Sequence, residues 1–395
     1  MVEAWSNWSG GVTASPQRIE RPTSEDDLRE VVRRAARDGL NVRVVGTGHS
    51  FTPIVATDGV IVSLDEIQGL VSANREAGRA TLWGGTKLHD ATHNLWEQGL
   101  GLANQGDVDV QSVAGAVGTG THGTGPAYGN MSSTVVGMRL VTGSGEILEC
   151  SREKNPEVLR AARVSLGMLG VTSQLTFQCP PRYALHERVW REPVFECLDA
   201  LDGRIRENDH YEFFWYPRDD LAESKALNPA ADQPAAEDPP PLEGPGERVG
   251  WSHRIYPSVR SLHFNEMEYS VPAEAGPACF RAVRECMRDQ FPMWQWPAEY
   301  RTVAADDAML SPAYGRSTVA ISVHQDARRP YEPYFREIET VFRAHGGRPH
   351  WAKIHWLGRE QLAADYPEWG AFAAIRRSLD PAGRFLSDYL RPLFG

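Results

Sequence analysis

Three short segments carry residue types that could do chemistry together. In Trp296-Pro297-Ala298-Glu299-Tyr300-Arg301-Thr302-Val303 a period of two puts Glu299 and Arg301 on one face of a strand. Spacing alone favours an ion pair on a solvated sheet face, which is common and worth little. Gly347-Arg348-Pro349-His350-Trp351-Ala352-Lys353 supplies one of only four lysines, the others being Lys87, Lys154 and Lys225. His350 and His355, five apart on an expected strand, fall on opposite faces, so no metal site is expected. Gly46-Thr47-Gly48-His49-Ser50-Phe51 follows the β-rich run Asn41 to Val45. It is not a dinucleotide fingerprint, because Phe51 stands where the third glycine belongs and Pro53 follows where a helix should begin. A tight loop of exposed N–H groups remains, able to form an anion-binding nest. Val113 to Gly125 interleaves five glycines with threonines and His122, and close backbone approach to a flat or phosphorylated ligand explains it better than a flexible linker does. His122 alone reads equally as a loop histidine bonded to backbone.

The elements that must position these residues are legible in the hydrophobic pattern. Ser24 to Asp38 has Leu28, Val31, Val32 and Ala35 at helical spacing after an N-cap sequence. Leu88 to Glu97 is also expected to be a helix. Strands are expected at Val60 to Leu64, Ala80 to Trp83, Gly137 to Thr142 and Val171 to Phe177, completing an α+β domain that ends near Cys179. Leu221 to Gly250, rich in Pro, Ala, Asp and Glu, is expected to be an exposed loop. Beyond it, strands at His263 to Val271, Trp296 to Ala304, Ser317 to His324 and Pro349 to Trp356 alternate with helices at Ala273 to Asp289 and Glu332 to Ala344. These make a second α+β domain with an antiparallel sheet.

The 395 residues allow two domains around two cores or one very large core. A net charge of −11 works against a phosphate backbone as partner, so nucleic acid is discounted. The five cysteines, Cys150, Cys179, Cys197, Cys279 and Cys286, form no CxxC pair and read as reduced, mostly buried thiols. With neither a signal-peptide pattern nor an apolar run of membrane-spanning length, a cytoplasmic protein is expected, as a monomer or small homo-oligomer.

Gly46 to Phe51, Val113 to Gly125 and Leu166-Gly167-Met168-Leu169-Gly170-Val171-Thr172 together resemble the FAD-binding domain of the vanillyl-alcohol oxidase superfamily. Within it the chain resembles, over essentially its whole length, the alditol oxidases and the gulonolactone and arabinonolactone oxidases. The resemblance implies an α+β, two-domain flavoprotein: residues 1–179 binding FAD, residues 180–349 forming an antiparallel-sheet substrate (cap) domain, and residues 350–395 carrying Lys353 and packing back on the first domain. It implies FAD held covalently through His49, where some relatives carry Leu and bind FAD without a bond. Val45, Gly46, Thr47, Gly48, Ser50, Gly106, Asp107, Ser112, Gly115, Gly118, Thr119, Thr121, His122, Gly123, Gly170 and Val171 are the other cofactor-binding positions it implies. Glu299 and Arg301 face the flavin in such enzymes, and the match continues through Asp306, Leu310-Ser311-Pro312 and Tyr314-Gly315-Arg316. Lys353 is their active-site lysine, a cation suited to stabilising charge on the flavin. His324 lines the substrate pocket where alditol oxidases carry Thr; it reads equally as a general base or a neutral hydrogen-bonding group. Gly106 occupies the oxygen gate, where the related plant dehydrogenase has alanine, and so favours oxidase behaviour. Asp107 replaces the usual serine and is a further substrate contact, or a turn aspartate. The implied reaction moves hydride from an alcohol carbon of a sugar-like substrate to flavin and on to O2, giving H2O2. A dehydrogenase with another acceptor, or a silent flavoprotein, are the alternatives.

Overall fold

In the computed structural model, which describes residues 4–232, 234, 239–258 and 261–395, the first helix spans Glu25–Arg37. Ser24 caps it by accepting from Asp27 N–H, and Leu28, Val31, Val32 and Ala35 form its buried stripe. That stripe packs on a three-stranded parallel sheet with Val60–Ser63 between Arg18–Glu20 and Val42–Val45. Beside it a five-stranded antiparallel sheet runs in the order Leu70–Asn74, Arg79–Trp83, Val171–Gln178, Val135–Val141, Ile147–Ser151. The glycine-rich run beginning at Val113 is a short helix, Val113–Thr119, capped by Ser112 and stopped by Gly120 at φ +79°.

The second half is built on an eight-stranded antiparallel sheet. Its order is Gly246–Trp251, Ala184–Pro193, Leu221–Pro229, His210–Tyr216, Ala298–Val303, Thr318–Asp326, Phe264–Pro272, Arg348–Pro349. One face, with Phe213, Tyr269, Tyr300 and Ile321, is buried with Phe280 of helix Gly276–Gln290 and with Phe335 and Phe342 of helix Glu332–Ala344. The opposite face carries charged and polar residues at alternate positions and forms the wall of a cavity. Two expectations need correction. Leu221 to Gly250 is not one exposed loop: Leu221–Pro229 is a central strand, with Ala222, Ser224 and Ala226 buried, and Gly246–Trp251 is an edge strand. Between them the described residues match the loop reading, and residues 233 and 235–238 lie outside the described residues. The strand expected at Pro349 to Trp356 ends at once, because Lys353 N–H bonds to His350 C=O in a turn. The main apolar core is continuous through both halves, with Phe51 and Leu82 from one, Phe213 and Tyr300 from the other, and Phe372 and Phe394 near the C-terminus. Among the described residues no helix is long and apolar enough to cross a membrane.

Candidate active site

Two cavities meet at His49. The first is an open cleft walled in part by glycine turns packed too closely for side chains. A Cβ at Gly46 would lie 2.4 Å from Ser112 Oγ, and one at Gly85 2.0 Å from Leu64 O. At Gly118 a Cβ would meet no protein atom, so that position opens on free space. Val45, Gly46, Thr47, Gly48, His49, Ser50, Ser112, Gly115, Gly118, Thr119 and Gly170 all line this cavity. Gly123 and Val171 line neither cavity: Val171 is wholly buried in the small core, and a Cβ at Gly123 would strike Asn104 and Gln105 O at 2.3 Å. His49 Nδ1 lies 3.0 Å from Thr47 Oγ1. Burial, then the Lys353 charge, push its pKa down to about 4, so the imidazole is neutral at neutral pH.

The second cavity lies against the charged face of the large sheet and shares His49 and Gln111 with the first. Gly106, Asp107, Thr121, His122, Glu299, Arg301, His324 and Lys353 all line it, so three distant segments expected to act together do converge. Register explains this: Glu299 pairs with Ser322 and with Phe214, Arg301 with Glu212, and Glu266 with His324, placing their side chains on one face. Arg301 Nη2 is 2.5 Å from Glu299 Oε1 and 3.6 Å from Asp107 Oδ1, and its Nε is 2.9 Å from Glu212 Oε2. Glu299 Oε1 and Arg301 Nε are both buried and meet their charged partners without well-angled hydrogen bonds. Burial, reinforced by Glu212 and Asp107, raises Glu299 to about 7 despite Arg301. Glu212 moves the other way: burial opposes it, but Arg301 and Lys225 hold it below the usual range.

His324 Nδ1 is 2.8 Å from Pro297 O, an atom that can only accept, so Nδ1 carries the proton and Nε2 is the basic nitrogen of the neutral ring. Nε2 lies 3.5 Å from Ser322 Oγ and 3.6 Å from Glu266 Oε1, and Ser322 donates to Glu299 Oε2 at 3.3 Å. Lys353 Nζ binds Glu266, whose carboxyl stays at about 2 because, against burial, Lys353 and His324 favour its charged form. One strand position pair further, His122 Nε2 is 2.9 Å from Glu268 and its Nδ1 is 2.8 Å from Gly123 O. Both nitrogens thus face acceptors, and Glu268 raises the pKa of His122 against the effect of burial. His122, Glu268 and His350 have ligating atoms within 4.8 Å of one another, a spacing compatible with a metal. Hydrogen bonds already engage this cluster, since His350 Nδ1 accepts Ala352 N–H at 3.2 Å.

Sequence reasoning missed Glu266 and Glu268, although two carboxylates flanking Met267 on a strand with buried alternate residues were a readable signal of a charged inner face. It weighed His350 only as a metal ligand, and it passed over Trp8, Gln111 and Glu212, whose placement depends on tertiary contacts. A glycine-walled cavity continuing at a neutral histidine into a charged, aromatic-flanked one fits a long ligand with a compact polar half and a flat ring half, such as FAD.

The sequence profile for D-arabinono-1,4-lactone oxidase matches residues 175–245 and 242–393, and that for an FAD binding domain matches residues 16–151. The chain is 39% identical to an L-gulono-1,4-lactone dehydrogenase of Mycobacterium tuberculosis, covering all of both chains. It is 30% identical to the L-gulonolactone oxidase of Bos taurus over 99% of this chain and 98% of that one, and 29% identical to the alditol oxidase of a Streptomyces species over 100% and 99%. In fold it matches cholesterol oxidase from Brevibacterium sterolicum with a TM-score of 0.88 at 18% identity, over 99% of this chain and 96% of that one.

Proposed function

The chain belongs to the D-arabinono-1,4-lactone oxidase family, and from that premise we propose that it oxidises an alcohol carbon of a sugar-derived substrate, with O2 as acceptor and H2O2 as second product. The substrate class is an alditol, an aldonolactone or a modified sugar. The observation that carries this reading is the junction at His49, where the cofactor-shaped cavity opens onto the wall bearing Glu299, Arg301, His324 and Lys353. FAD, linked through His49, supplies the two-electron acceptor for the alcohol's C–H hydrogen. The residues Val45 to Ser50, Ser112, Gly115, Gly118, Thr119 and Gly170 hold it, with Gly106, Asp107, Thr121 and His122 on the substrate side.

Glu299 and Arg301, side by side on the cavity wall, orient the hydroxyls. His324 takes the alcohol proton at Nε2, its tautomer fixed by Pro297 O, with Glu266 Oε1 3.6 Å away. Lys353, pinned by Glu266, keeps a positive charge on the wall where negative charge develops. Asp107, near Arg301 and bonded by Ser258 Oγ at 3.0 Å, supplies a further acceptor for substrate hydroxyls. Phe214, Phe264 and Trp296 limit the water around these charges.

Gly106 lines the cavity without a side chain, which supports access of O2. The M. tuberculosis relative named a dehydrogenase favours a second reading, in which a dye, cytochrome or quinone replaces O2. Turnover of a panel of alditols, aldonolactones and aminated sugars, in air with peroxide detection and anaerobically with an artificial acceptor, separates the two. Peroxide in step with substrate consumption is the expected result. Failure of the bound flavin to bleach with the whole panel rejects both and leaves a silent flavoprotein. All five cysteines are free and buried, which suits a cytoplasmic setting.

A further inference from the structure

The N-terminal segment makes a hairpin, Trp5–Ser6 with Thr13–Ala14, and lies across the loop that carries His49. It grips that loop on both sides of the histidine: Trp8 N–H donates to Gly48 O at 2.8 Å, and Asn7 Nδ2 donates to Ser50 O at 3.0 Å. The fit is close, since a Cβ at Gly48 would lie 3.3 Å from Trp5 and 3.4 Å from Asn7 Cα, at a φ of +71°. Asn7 Oδ1 accepts Val12 N–H at 2.9 Å and holds the hairpin's own turn. Trp5 lines the first cavity, Trp8 the second, and His49 both.

The indole of Trp8 stacks on His49 with ring centres 5.2 Å apart and planes 19° apart. On Trp8 there is also a second stacked imidazole, His263, at 4.5 Å and 27°. Phe51 and Phe264 meet the indole edge-on at 6.4 and 5.2 Å. Trp8 is therefore fixed by four rings and one backbone bond, and His49 is the ring in this set that borders both cavities. An imidazole on a glycine-flanked loop would otherwise sample several rotamers; a stacked indole restricts the plane in which it turns and so raises the fraction of time it presents an edge to a reacting atom.

We propose that Trp8 is the positioning residue for covalent attachment of the flavin: it holds the His49 imidazole in the plane from which a ring nitrogen bonds the flavin 8α-carbon. This rests on the covalent tether proposed above. In that step one 8α C–H hydrogen and the imidazole N–H hydrogen are replaced by a C–N bond. The two electrons released with these two protons leave through the flavin to O2, which becomes H2O2. Trp8 touches no reacting bond in this scheme. It sets geometry, and its removal slows attachment without removing the cofactor's binding cavity.

The test uses the full chain as wild type, Trp8→Ala, Trp8→Phe and His263→Ala, incubated with excess FAD in air. Covalent flavin is read as fluorescence of the denatured, washed protein band against time, and total flavin by absorbance before denaturation. Attachment in Trp8→Ala is expected to be at least tenfold slower with total flavin retained, to recover largely in Trp8→Phe, and to fall less in His263→Ala. Attachment in Trp8→Ala at the wild-type rate overturns the proposal. Should Trp8→Ala fail to fold, the remaining pair decides: a slower rate in His263→Ala with normal total flavin supports it, and wild-type rates in both variants overturn it. A dark wild-type band refutes the tether itself, and this inference with it.

Discussion

At the scale of single residues, the cavity's behaviour depends on where protons sit. Glu299 is raised from its ordinary 4.5 to about 7, first by burial and then by Glu212 and Asp107. A carboxyl whose folded pKa lies above its unfolded one adds stability below the unfolded value and loses it as pH rises through the folded value. Wild-type stability should therefore decline relative to Glu299→Gln between about pH 5 and pH 8, because the variant cannot ionise. Urea midpoints at those two pH values check it, and an unchanged difference would show that Glu299 titrates normally. For His324 the tautomer is the point. Pro297 O holds the proton on Nδ1, so His324→Gln removes the basic Nε2 while keeping a polar side chain of comparable reach. Its turnover should fall by about 10² to 10⁴ with flavin content unchanged, the usual contribution of a positioned base. A loss under tenfold would move the base elsewhere, with Glu299 next in line.

At the scale of elements, helices and central strands were legible because burial imposes a period: Leu88–Glu97 and Glu332–Ala344 match their expected bounds. Composition misled where it averaged over different neighbours. Leu221–Pro229 alternates Ala222, Ser224 and Ala226 inward, but the proline-rich stretch after it masked this in a window spanning both. That hidden strand connects to the cavity wall through charge. Lys225 projects between Glu212 at 3.4 Å and Glu187 at 3.7 Å, and Arg248 of the edge strand also binds Glu187. An alternating string of charge thus runs from Arg301 through Glu212, Lys225 and Glu187 to Arg248. With its side chain only 20% exposed, Lys225 offsets two buried carboxylates, and Lys225→Met leaves each with a single cation, Arg301 for Glu212 and Arg248 for Glu187. The expected cost is about 3 kcal/mol at most, the lower bound for breaking a buried pair, because Arg301 and Arg248 remain in place. Denaturant titration measures it. A loss below about 1 kcal/mol, the range of exposed pairs, would mean that water screens the string.

At the scale of the whole molecule, the family motifs identified both halves from sequence but said little about how they share a core, since that depends on contacts distant in the chain. Residues after Pro349 return through both. Lys353 enters the charged cavity, Trp351 donates to Leu310 O at 2.6 Å, and Phe385 is fully buried against Leu28, Val60 and Val62 of the first sheet and helix. Arg384 O accepts Val42 N–H at 2.8 Å, and the buried Arg43 guanidinium binds Phe385 O and, at 2.5 Å, Leu166 O. Because strand Val42–Val45 leads straight into the His49 loop, the footing of that loop, and of the tether proposed there, depends on the last tenth of the chain. A continuous core and such a strap couple the two halves more strongly than a polar domain interface would. Unfolding should accordingly be one cooperative transition, with flavin fluorescence and far-UV circular dichroism coincident in denaturant. Phe385→Ala should shift both probes together, by about 3 to 5 kcal/mol, as expected for truncating a buried aromatic. If the flavin signal alone moves to lower denaturant, the FAD-binding half unfolds as a separate unit and the strap does not join the two halves energetically.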